Sequence, residues 1–61
     1  MEHTTAETVR RLRREGWSEQ YGEGDHLKFK KQGHPLVVVP TSKKVLKEGT
    51  YRDIARKAGW E

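Results

Sequence analysis

His26, Lys28 and Lys30 occupy alternating positions in one short segment of the chain, and these residue types suit acid–base chemistry beside a phosphate. If the segment is a β-strand, successive side chains point to opposite faces, so these three residues share one face. An imidazole can accept and donate a proton near neutral pH, and an ammonium group stabilises the negative charge of a phosphate. We therefore identify His26 as the candidate residue for proton transfer. A surface histidine without a chemical role is the alternative interpretation.

Lysines are concentrated in the segment from His26 to Lys47, which contains six of them and no acidic residue. They are Lys28, Lys30, Lys31, Lys43, Lys44 and Lys47. Such segregation of charge is typical of a surface that binds phosphates, with an affinity that falls as the salt concentration rises. The same charges would also serve simply to keep a small domain soluble.

Other site chemistries have little support in the residue types. The chain has no cysteine, and its three histidines, His3, His26 and His34, do not show the close spacing of metal ligands. A structural zinc site is therefore not expected, and we predict no metal and no cofactor. Ser18 and Ser42 lack the sequence context of a nucleophile elbow, so a hydrolytic triad is not expected either.

Length and charge limit the broad class of the protein. The chain has 61 residues, with thirteen Lys plus Arg against nine Asp plus Glu, and a net charge of +4. This length fits one domain, which we expect to span residues 1–61. No apolar run approaches the roughly 18 residues of a membrane span, and no secretory signal is recognisable at the start. We therefore expect a cytoplasmic protein with an anionic partner, either a nucleic acid or an acidic protein surface.

The first element that must support the candidate site is a helix over residues 4–16. Thr4 and Glu7 have the spacing of a capping box, and Gly16 follows the last residue of the periodic pattern. The predicted apolar stripe of this helix consists of Ala6, Val9 and Leu12. A stripe this narrow needs a sheet to cover.

Three strands are predicted next, over residues 17–22, from 25 or 26 to 31, and over 36–39. In the second strand Leu27 and Phe29 alternate with the candidate site residues, so one face is apolar and the other is basic. The segment Gly22-Glu23-Gly24-Asp25 is expected to form the turn between the first two strands, and Pro40 is expected to end the third.

The last predicted element is a second helix. Residues 41–49 are expected to form a polar connection, after which Thr50 and Asp53 cap a helix that ends at Gly59. Its core-facing stripe consists of Tyr51, Ile54, Ala55 and Ala58. The order α-β-β-β-α predicts an α+β fold in which both helices cover one face of a three-stranded antiparallel sheet. The other face, which carries His26, then stays open.

Five short motifs stand in a characteristic order along the chain. They are Gly16-Trp17, Gly24-Asp25-His26-Leu27-Lys28-Phe29, Val39-Pro40, Leu46-Lys47-Glu48-Gly49-Thr50-Tyr51-Arg52-Asp53-Ile54 and Ala58-Gly59. From about Thr5 to Gly59, the chain thereby resembles the HicA family of mRNA interferase toxins. The resemblance implies a fold like the double-stranded-RNA-binding domain, in agreement with the predicted order of elements.

The resemblance also implies a function for the residues singled out above. His26 occupies the position of the family's active-site histidine, in a motif usually written Gly-Ser-His and followed by an aromatic residue three positions later. Gly24 and Phe29 fit this motif, whereas Asp25 replaces the serine. The implied protein is the toxin of a type II toxin–antitoxin system. It is a metal-independent endoribonuclease that cleaves mRNA, inhibits translation and is neutralised by a HicB-type antitoxin bound over its active site.

In that function, the candidate catalytic residue is His26 and the candidate RNA-binding residues are lysines. These are Lys28, Lys30, Lys43, Lys44 and Lys47. Tyr21, across the predicted turn from His26, is a candidate for a second proton carrier because of its proximity. Either Lys28 or Lys30 would stabilise the charge that develops on the phosphate.

Two other functions fit the same residues. A non-catalytic RNA-binding module of this fold would contact phosphates through four residues, and His26 would be one more contact residue. The four are Lys43, Lys44, Lys47 and Arg52. A protein-interaction domain would instead bind an acidic partner through the open sheet face or a strand edge. Cleavage of RNA in excess EDTA, and its loss in a His26→Ala variant that still folds, would distinguish the nuclease from both.

Overall fold

A computed structural model describes residues 3–22 and 24–60 of the chain. Its elements are β1 (His3–Thr4), α1 (Thr5–Arg14), β2 (Ser18–Tyr21), β3 (His26–Lys30), β4 (Val37–Pro40), β5 (Val45–Leu46) and α2 (Glu48–Ala58). The central strands form an antiparallel sheet in the order β2-β3-β4, which confirms the predicted α+β class and the order α-β-β-β-α. A two-stranded ribbon of β1 and β5 was not predicted. Neither helix of the described residues is long and apolar enough to cross a membrane.

Helix α1 begins as the sequence predicts, but it buries a different stripe. The hydroxyl of Thr4 accepts a hydrogen bond from the backbone N–H of Glu7 at 3.2 Å. The buried residues are Thr5, Thr8, Val9 and Leu12. Ala6 is exposed, so its assignment to the stripe was wrong. Threonine can be buried here because the Thr8 hydroxyl donates to the Thr4 carbonyl at 3.0 Å, which leaves no unpaired polar group.

The register of the sheet separates an inner from an outer face. Lys28 of β3 pairs with Gln20 of β2 and with Val38 of β4, whereas Phe29 pairs with Val37. Residues that pair directly lie on the same face of a sheet. Phe29 and Val37 therefore face inward together, and Lys28 faces outward. All four residues of the edge strand β2 are exposed.

The hydrophobic core lies between the inner face of the sheet and the two helices. Phe29, Val37 and Val39 are fully buried and pack in one cluster with Leu12 of α1 and Ile54 of α2. Both helices contribute to the same cluster, so both cover the same face of the sheet, as predicted. Each of these large apolar side chains contributes roughly 1.5–3 kcal/mol through burial. No helix of the described residues covers the outer face.

Helix α2 begins at Glu48, whereas a cap at Thr50 would start it at residue 51, so the predicted cap was wrong by three positions. Lys47 is the N-cap, and the first helical hydrogen bond runs from the Tyr51 N–H to the Lys47 carbonyl at 2.9 Å. Buried Leu46 before the cap and half-buried Tyr51 at the fourth helical position have the spacing of a hydrophobic staple. This apolar pair outweighs the threonine capping signal, and Thr50 lies within the first turn.

The end of α2 is tied to α1 through one carboxylate. Gly59 ends the helix in a left-handed conformation with φ of 79°, as predicted, and Trp60 follows. The Trp60 indole donates to the Glu15 carboxylate at 2.7 Å, and Arg11 donates to the second oxygen at 3.1 Å. The hydrogen bond from Trp60, followed by that from Arg11, holds the pKa of Glu15 below its usual value. Glu15 therefore stabilises the fold in its ionised form.

The hairpin that leads to His26 depends on a close backbone contact at Gly22. The Gly22 N–H donates to the His26 carbonyl at 3.1 Å. A Cβ atom at position 22 would lie 2.9 Å from that same oxygen, which is closer than side-chain carbons come to backbone. The predicted turn also includes Glu23, which lies outside the described residues, and Gly24, which has a φ of 62° that suits a turn.

We expect Gly22→Ala to shift this hairpin and to lower the free energy of unfolding by about 1–3 kcal/mol. Urea denaturation followed by circular dichroism measures the change. Gly49→Ala is the matched control, because a Cβ atom there meets nothing within 4 Å and the residue lies in α2. This control should raise stability by up to about 1 kcal/mol. Equal effects of the two substitutions would contradict the close contact.

The lowered pKa of Glu15 predicts how stability depends on pH. Its stabilising contribution is complete above the unfolded pKa of about 4.3 and is lost as the pH falls through the lower folded pKa. Glu15→Gln should cost about 1 kcal/mol of unfolding free energy at pH 7 and progressively less toward pH 3. Urea midpoints of both proteins across this range measure the difference. A difference independent of pH would refute the role of the ionised carboxylate.

Candidate functional site

His26 is the first residue of β3, and its side chain is exposed on the outer face of the sheet. Its backbone is fixed from two sides. The His26 carbonyl accepts the Gly22 N–H, and the carbonyl of the preceding Asp25 accepts both the N–H and the hydroxyl of Thr41, the hydroxyl at 2.7 Å. The imidazole is thus accessible to a large ligand while its main chain is held in place.

The loop after β4 is held beside His26 by threonine hydrogen bonds. Thr41 ties the beginning of the loop to Asp25, as described above. Farther along, buried Thr5 at the start of α1 donates its N–H to the Lys44 carbonyl at 3.0 Å and its hydroxyl to the Lys43 carbonyl. The main chain of the loop is therefore anchored at both ends, whereas the side chains of Lys43 and Lys44 remain exposed.

An open groove of about 310 Å³ separates His26 from the start of α2. The rest of its lining comes from the end of β4, the following loop, β5 and the first turn of the helix. These residues are Pro40, Ser42, Lys43, Val45, Leu46, Lys47 and Thr50. The groove thereby brings the candidate catalytic residue together with two of the candidate RNA-binding residues, Lys43 and Lys47. We call it the His26 groove.

The charges around the His26 groove favour an anion. Its lining contains the ammonium groups of Lys43 and Lys47 and, within the described ranges 3–22 and 24–60, no carboxylate. The N–H groups of the first turn of α2 add a partial positive charge of about half a unit, and no side chain caps them at Lys47. Glu48, in the same turn, lies 3.6 Å from Arg52 and is partly neutralised by it. A phosphate suits this combination of lysines and backbone donors.

Lys28 and Lys30 share the outer face of the sheet with His26, as predicted, but at different distances. With a rise of about 3.3 Å per residue, Lys28 lies about 7 Å along the strand from His26 and Lys30 about 13 Å. Lys30 lines a separate depression together with Lys31 and His34. Lys28 can therefore reach a phosphate bound at His26, whereas Lys30 is suited to a neighbouring phosphate.

Lys44 is separated from the His26 groove, although it is next to Lys43 in the chain. Its side chain lines a depression beside the start of α1, with Thr5, Glu7 and Arg10 among the neighbours. The five candidate lysines thus divide into three sets. Lys43 and Lys47 line the groove, Lys28 lies next to it, and Lys30 and Lys44 line other depressions, of which that of Lys44 is also lined by Lys43.

The single acidic residue of β2 does not neutralise the outer face. Glu19 pairs with Phe29 in the sheet register, so its side chain lies on the opposite side from Lys28. There the Arg13 guanidinium donates to the Glu19 carboxylate at 2.6 Å. This hydrogen bond lowers the pKa of Glu19 and keeps the carboxylate ionised and bound to Arg13. The Glu19 carboxylate therefore forms no ion pair with the lysines of the outer face.

Tyr21 does not belong to the His26 groove. It pairs with Leu27, which lies on the inner side of the sheet, while His26 lies on the outer side. Its side chain is 92% exposed at the edge of β2. Proximity across the hairpin therefore does not make Tyr21 a partner of His26 in proton transfer.

Sequence reasoning missed Ser42, Thr50 and the first turn of α2 as parts of the site. The sequence predicts residues 41–49 as a polar connection and Thr50 as the helix cap, which leaves no helix turn in this part of the chain. The staple spacing of Leu46 and Tyr51 was the signal that could have located the helix start. Among residues 3–22 and 24–60, no three His, Cys, Asp or Glu side chains form a group that could hold a metal ion.

Comparison with known families supports the relationship suggested by the short motifs. Residues 5–60 match the family described as HicA toxin of bacterial toxin-antitoxin. The matched range extends from the first residue of α1 to Trp60 and includes His26 and the whole lining of its groove. No curated protein matches the chain. Because the family match covers more than half of its length, the chain belongs to the HicA toxin family of bacterial toxin–antitoxin systems.

Proposed function

We propose that this protein is a metal-independent endoribonuclease, the toxin of a type II system, which cleaves mRNA and thereby inhibits translation. Membership of the HicA toxin family supports the toxin role. The observation that carries the enzymatic role is the exposed imidazole of His26, which faces a cationic groove closed on its other side by the start of α2. This arrangement suits proton transfer next to a bound phosphate.

In the proposed reaction, the imidazole of His26 accepts the proton of a ribose 2′-hydroxyl group. The 2′-oxygen then bonds to the adjacent phosphorus while the bond from phosphorus to the 5′-oxygen breaks. The products are a 2′,3′-cyclic phosphate and a 5′-hydroxyl end, whose proton comes from the imidazolium or from water. RNA is cleaved and DNA is spared, because DNA lacks the nucleophile.

Lys43, Lys47 and the first turn of α2 are proposed to hold the phosphate that reacts. Their positive charges would stabilise the additional negative charge that develops on the non-bridging oxygens. Lys28 would assist from the sheet, and Lys30 and Lys44 would bind phosphates farther along the strand. No metal ion is needed for this assignment, because nucleophile activation and charge stabilisation are both supplied by side chains and backbone N–H groups.

The rate enhancement must be shared among these groups. A well-placed general base typically accelerates a reaction by about 10² to 10⁴-fold, which corresponds to roughly 3–5 kcal/mol of activation free energy. The remainder is assigned to alignment of the 2′-oxygen with the phosphorus and to the electrostatic stabilisation described above. This division assigns a catalytic contribution to the fixed loop and the helix start as well as to the histidine.

A HicB-type antitoxin is proposed as the protein partner. To inhibit the reaction it would cover the His26 groove, whose lysines and helix start favour carboxylates as well as phosphates. An acidic segment of the antitoxin would then compete directly with RNA for this surface.

We expect His26→Gln to lower the rate of RNA cleavage by about 10² to 10⁴-fold without changing the circular dichroism spectrum. Cleavage is measured with end-labelled RNA in excess EDTA. His34→Gln is the matched control, because His34 lies outside the groove, with its ring 5.2 Å from that of Trp17. A substrate with 2′-deoxyribose at the cleavage position should remain intact.

Two results would count against this assignment. Binding of RNA by the wild-type protein without any cleavage would indicate a non-catalytic module. Cleavage that persists in His26→Gln would show that another residue acts as the general base.

Lys43→Gln and Lys47→Gln should each weaken RNA binding and make it less dependent on salt. For single-stranded RNA, each lost phosphate contact lowers the slope of log affinity against log salt concentration by about 0.7. Fluorescence anisotropy with labelled RNA in the His26→Gln background measures this slope. Lys57→Gln removes the same charge at the far end of α2, where Lys57 lies 3.0 Å from Asp53, and should leave the slope unchanged. Equal slopes for all three variants would exclude specific phosphate contacts in the groove.

A further inference from the structure

A second cleft, separate from the His26 groove, lies between the two helices near β1. It has a volume of about 330 Å³, and its lining combines aromatic rings with arginines. Its aromatic residues are His3, Tyr51 and Trp60, and its arginines are Arg10, Arg11 and Arg14. We call it the arginine cleft. None of its six named residues takes part in the reaction proposed above.

The aromatic side of the arginine cleft is already ordered. The rings of His3 and Tyr51 are stacked, with centroids 3.5 Å apart and planes within 3° of parallel. The Trp60 ring lies 6.1 Å from that of Tyr51, and the Glu15 carboxylate fixes its indole nitrogen. All three aromatic residues are half-buried, so each keeps part of its surface accessible. His3 and Tyr51 cover one face of each other and Arg11 lies over Trp60, so a planar ligand would pack against the ring surface that stays exposed, at little cost in side-chain entropy.

The arginines differ in how far their charges are already satisfied. Arg11 is bound to Glu15, and its guanidinium lies 4.1 Å above the Trp60 ring. Arg10 and Arg14 are exposed and form no ion pair with any residue of the described ranges 3–22 and 24–60. They lie four positions apart on α1, where like charges destabilise a helix by a few tenths of a kcal/mol. An anion placed between them would remove this repulsion.

The net charge of the arginine cleft therefore favours an anionic ligand. Among residues 3–22 and 24–60, Glu7 is the one carboxylate that lines the cleft, and it is outweighed by Arg10 and Arg14, with Arg11 already paired. Aromatic rings beside guanidinium groups are the combination that binds a base and its phosphate. An acidic peptide would use the arginines but would have no need of three ordered rings.

We propose that the arginine cleft binds one nucleotide, with the base against the aromatic residues and the phosphate between Arg10 and Arg14. The volume lies at the lower end of the range of small-ligand sites, which suits a ligand of this size. As an RNA subsite, this assignment rests on the proposed function. A nucleotide of an RNA strand and a free nucleoside monophosphate offer the same chemistry, so the test includes both.

The ribbon of β1 and β5 connects the arginine cleft to the His26 groove. His3 of the cleft pairs with Leu46 of the groove, and Thr4 of the cleft pairs with Val45 of the groove. In α2, Tyr51 lines the arginine cleft and its neighbour Thr50 lines the His26 groove. A strand of RNA bound in the groove could therefore continue over the ribbon and deliver a nucleotide flanking the cleaved phosphate to the arginine cleft.

The test is an NMR titration of the full ¹⁵N-labelled chain carrying His26→Gln, which keeps the RNA intact. One arm uses a short single-stranded RNA, and the other uses adenosine monophosphate. We expect the indole N–H signal of Trp60 and the amide signals of Arg10 and Arg14 to shift in at least one arm. The indole of Trp17, which is buried outside the cleft, should not shift and serves as the internal reference.

Charge substitutions then distinguish binding in the arginine cleft from non-specific electrostatic attraction of the nucleotide to a basic protein. Arg10→Gln and Arg14→Gln should each weaken binding by about 10-fold, since each removes a charged hydrogen bond to the phosphate. Arg56→Gln, an equal loss of charge on an exposed position of α2 outside the cleft, should change affinity by less than about twofold. Neither arginine substitution should abolish cleavage by a protein that retains His26.

The outcomes distinguish this inference from the proposed function. Shifts at the arginine cleft with RNA support an RNA subsite, and shifts with the monophosphate alone support a site for a free nucleotide. Shifts confined to the His26 groove, or equal effects of Arg14→Gln and Arg56→Gln, overturn the inference and leave the nuclease intact. If the protein binds a nucleotide in the cleft but never cleaves RNA, the proposed nuclease function is refuted and the proposed nucleotide site is supported.

Discussion

The alternation of side chains along β3 is the constraint on which the rest of the structure depends. Phe29 points inward and is fully buried, so it fixes the sheet against both helices. Because the period of a strand is two residues, the same register directs His26, Lys28 and Lys30 outward. A shift of one residue would bury three polar side chains and expose the core. The force that folds the domain therefore also determines which face is basic.

Outside the sheet, the site depends on a small number of polar ties rather than on burial. Thr5 and Thr41 hold the loop that carries Lys43, and Gly22 allows the hairpin to close on the His26 carbonyl. These contacts join α1, β3 and the loop at one end of the molecule. In a chain of 61 residues, which buries only about 60% of its unfolded surface, such ties add order that the core alone does not provide.

The sequence predicted what periodicity controls and missed what depends on contacts between distant segments. Strong alternation around Phe29 located β3 and the face of His26. The ribbon of β1 and β5 has two residues in each strand, too few for any periodic signal. The hydrogen bond from the Thr5 N–H to the Lys44 carbonyl, two residues far apart in the chain, adjoins this pairing. The grouping of Lys43 and Lys47 with His26, and the separation of Lys44, could not be predicted without that fold.

The exposed strand β2 has a further consequence for how the molecule behaves in a crowded solution. One of its edges pairs with β3, while the other presents unpaired backbone groups that could template a β-strand from another molecule. The strand is only four residues long, which opposes such growth, whereas the charge of its Glu19 is already paired with Arg13. Resistance to fibre-like polymerisation in this protein therefore relies on the brevity of β2 rather than on a repelling charge.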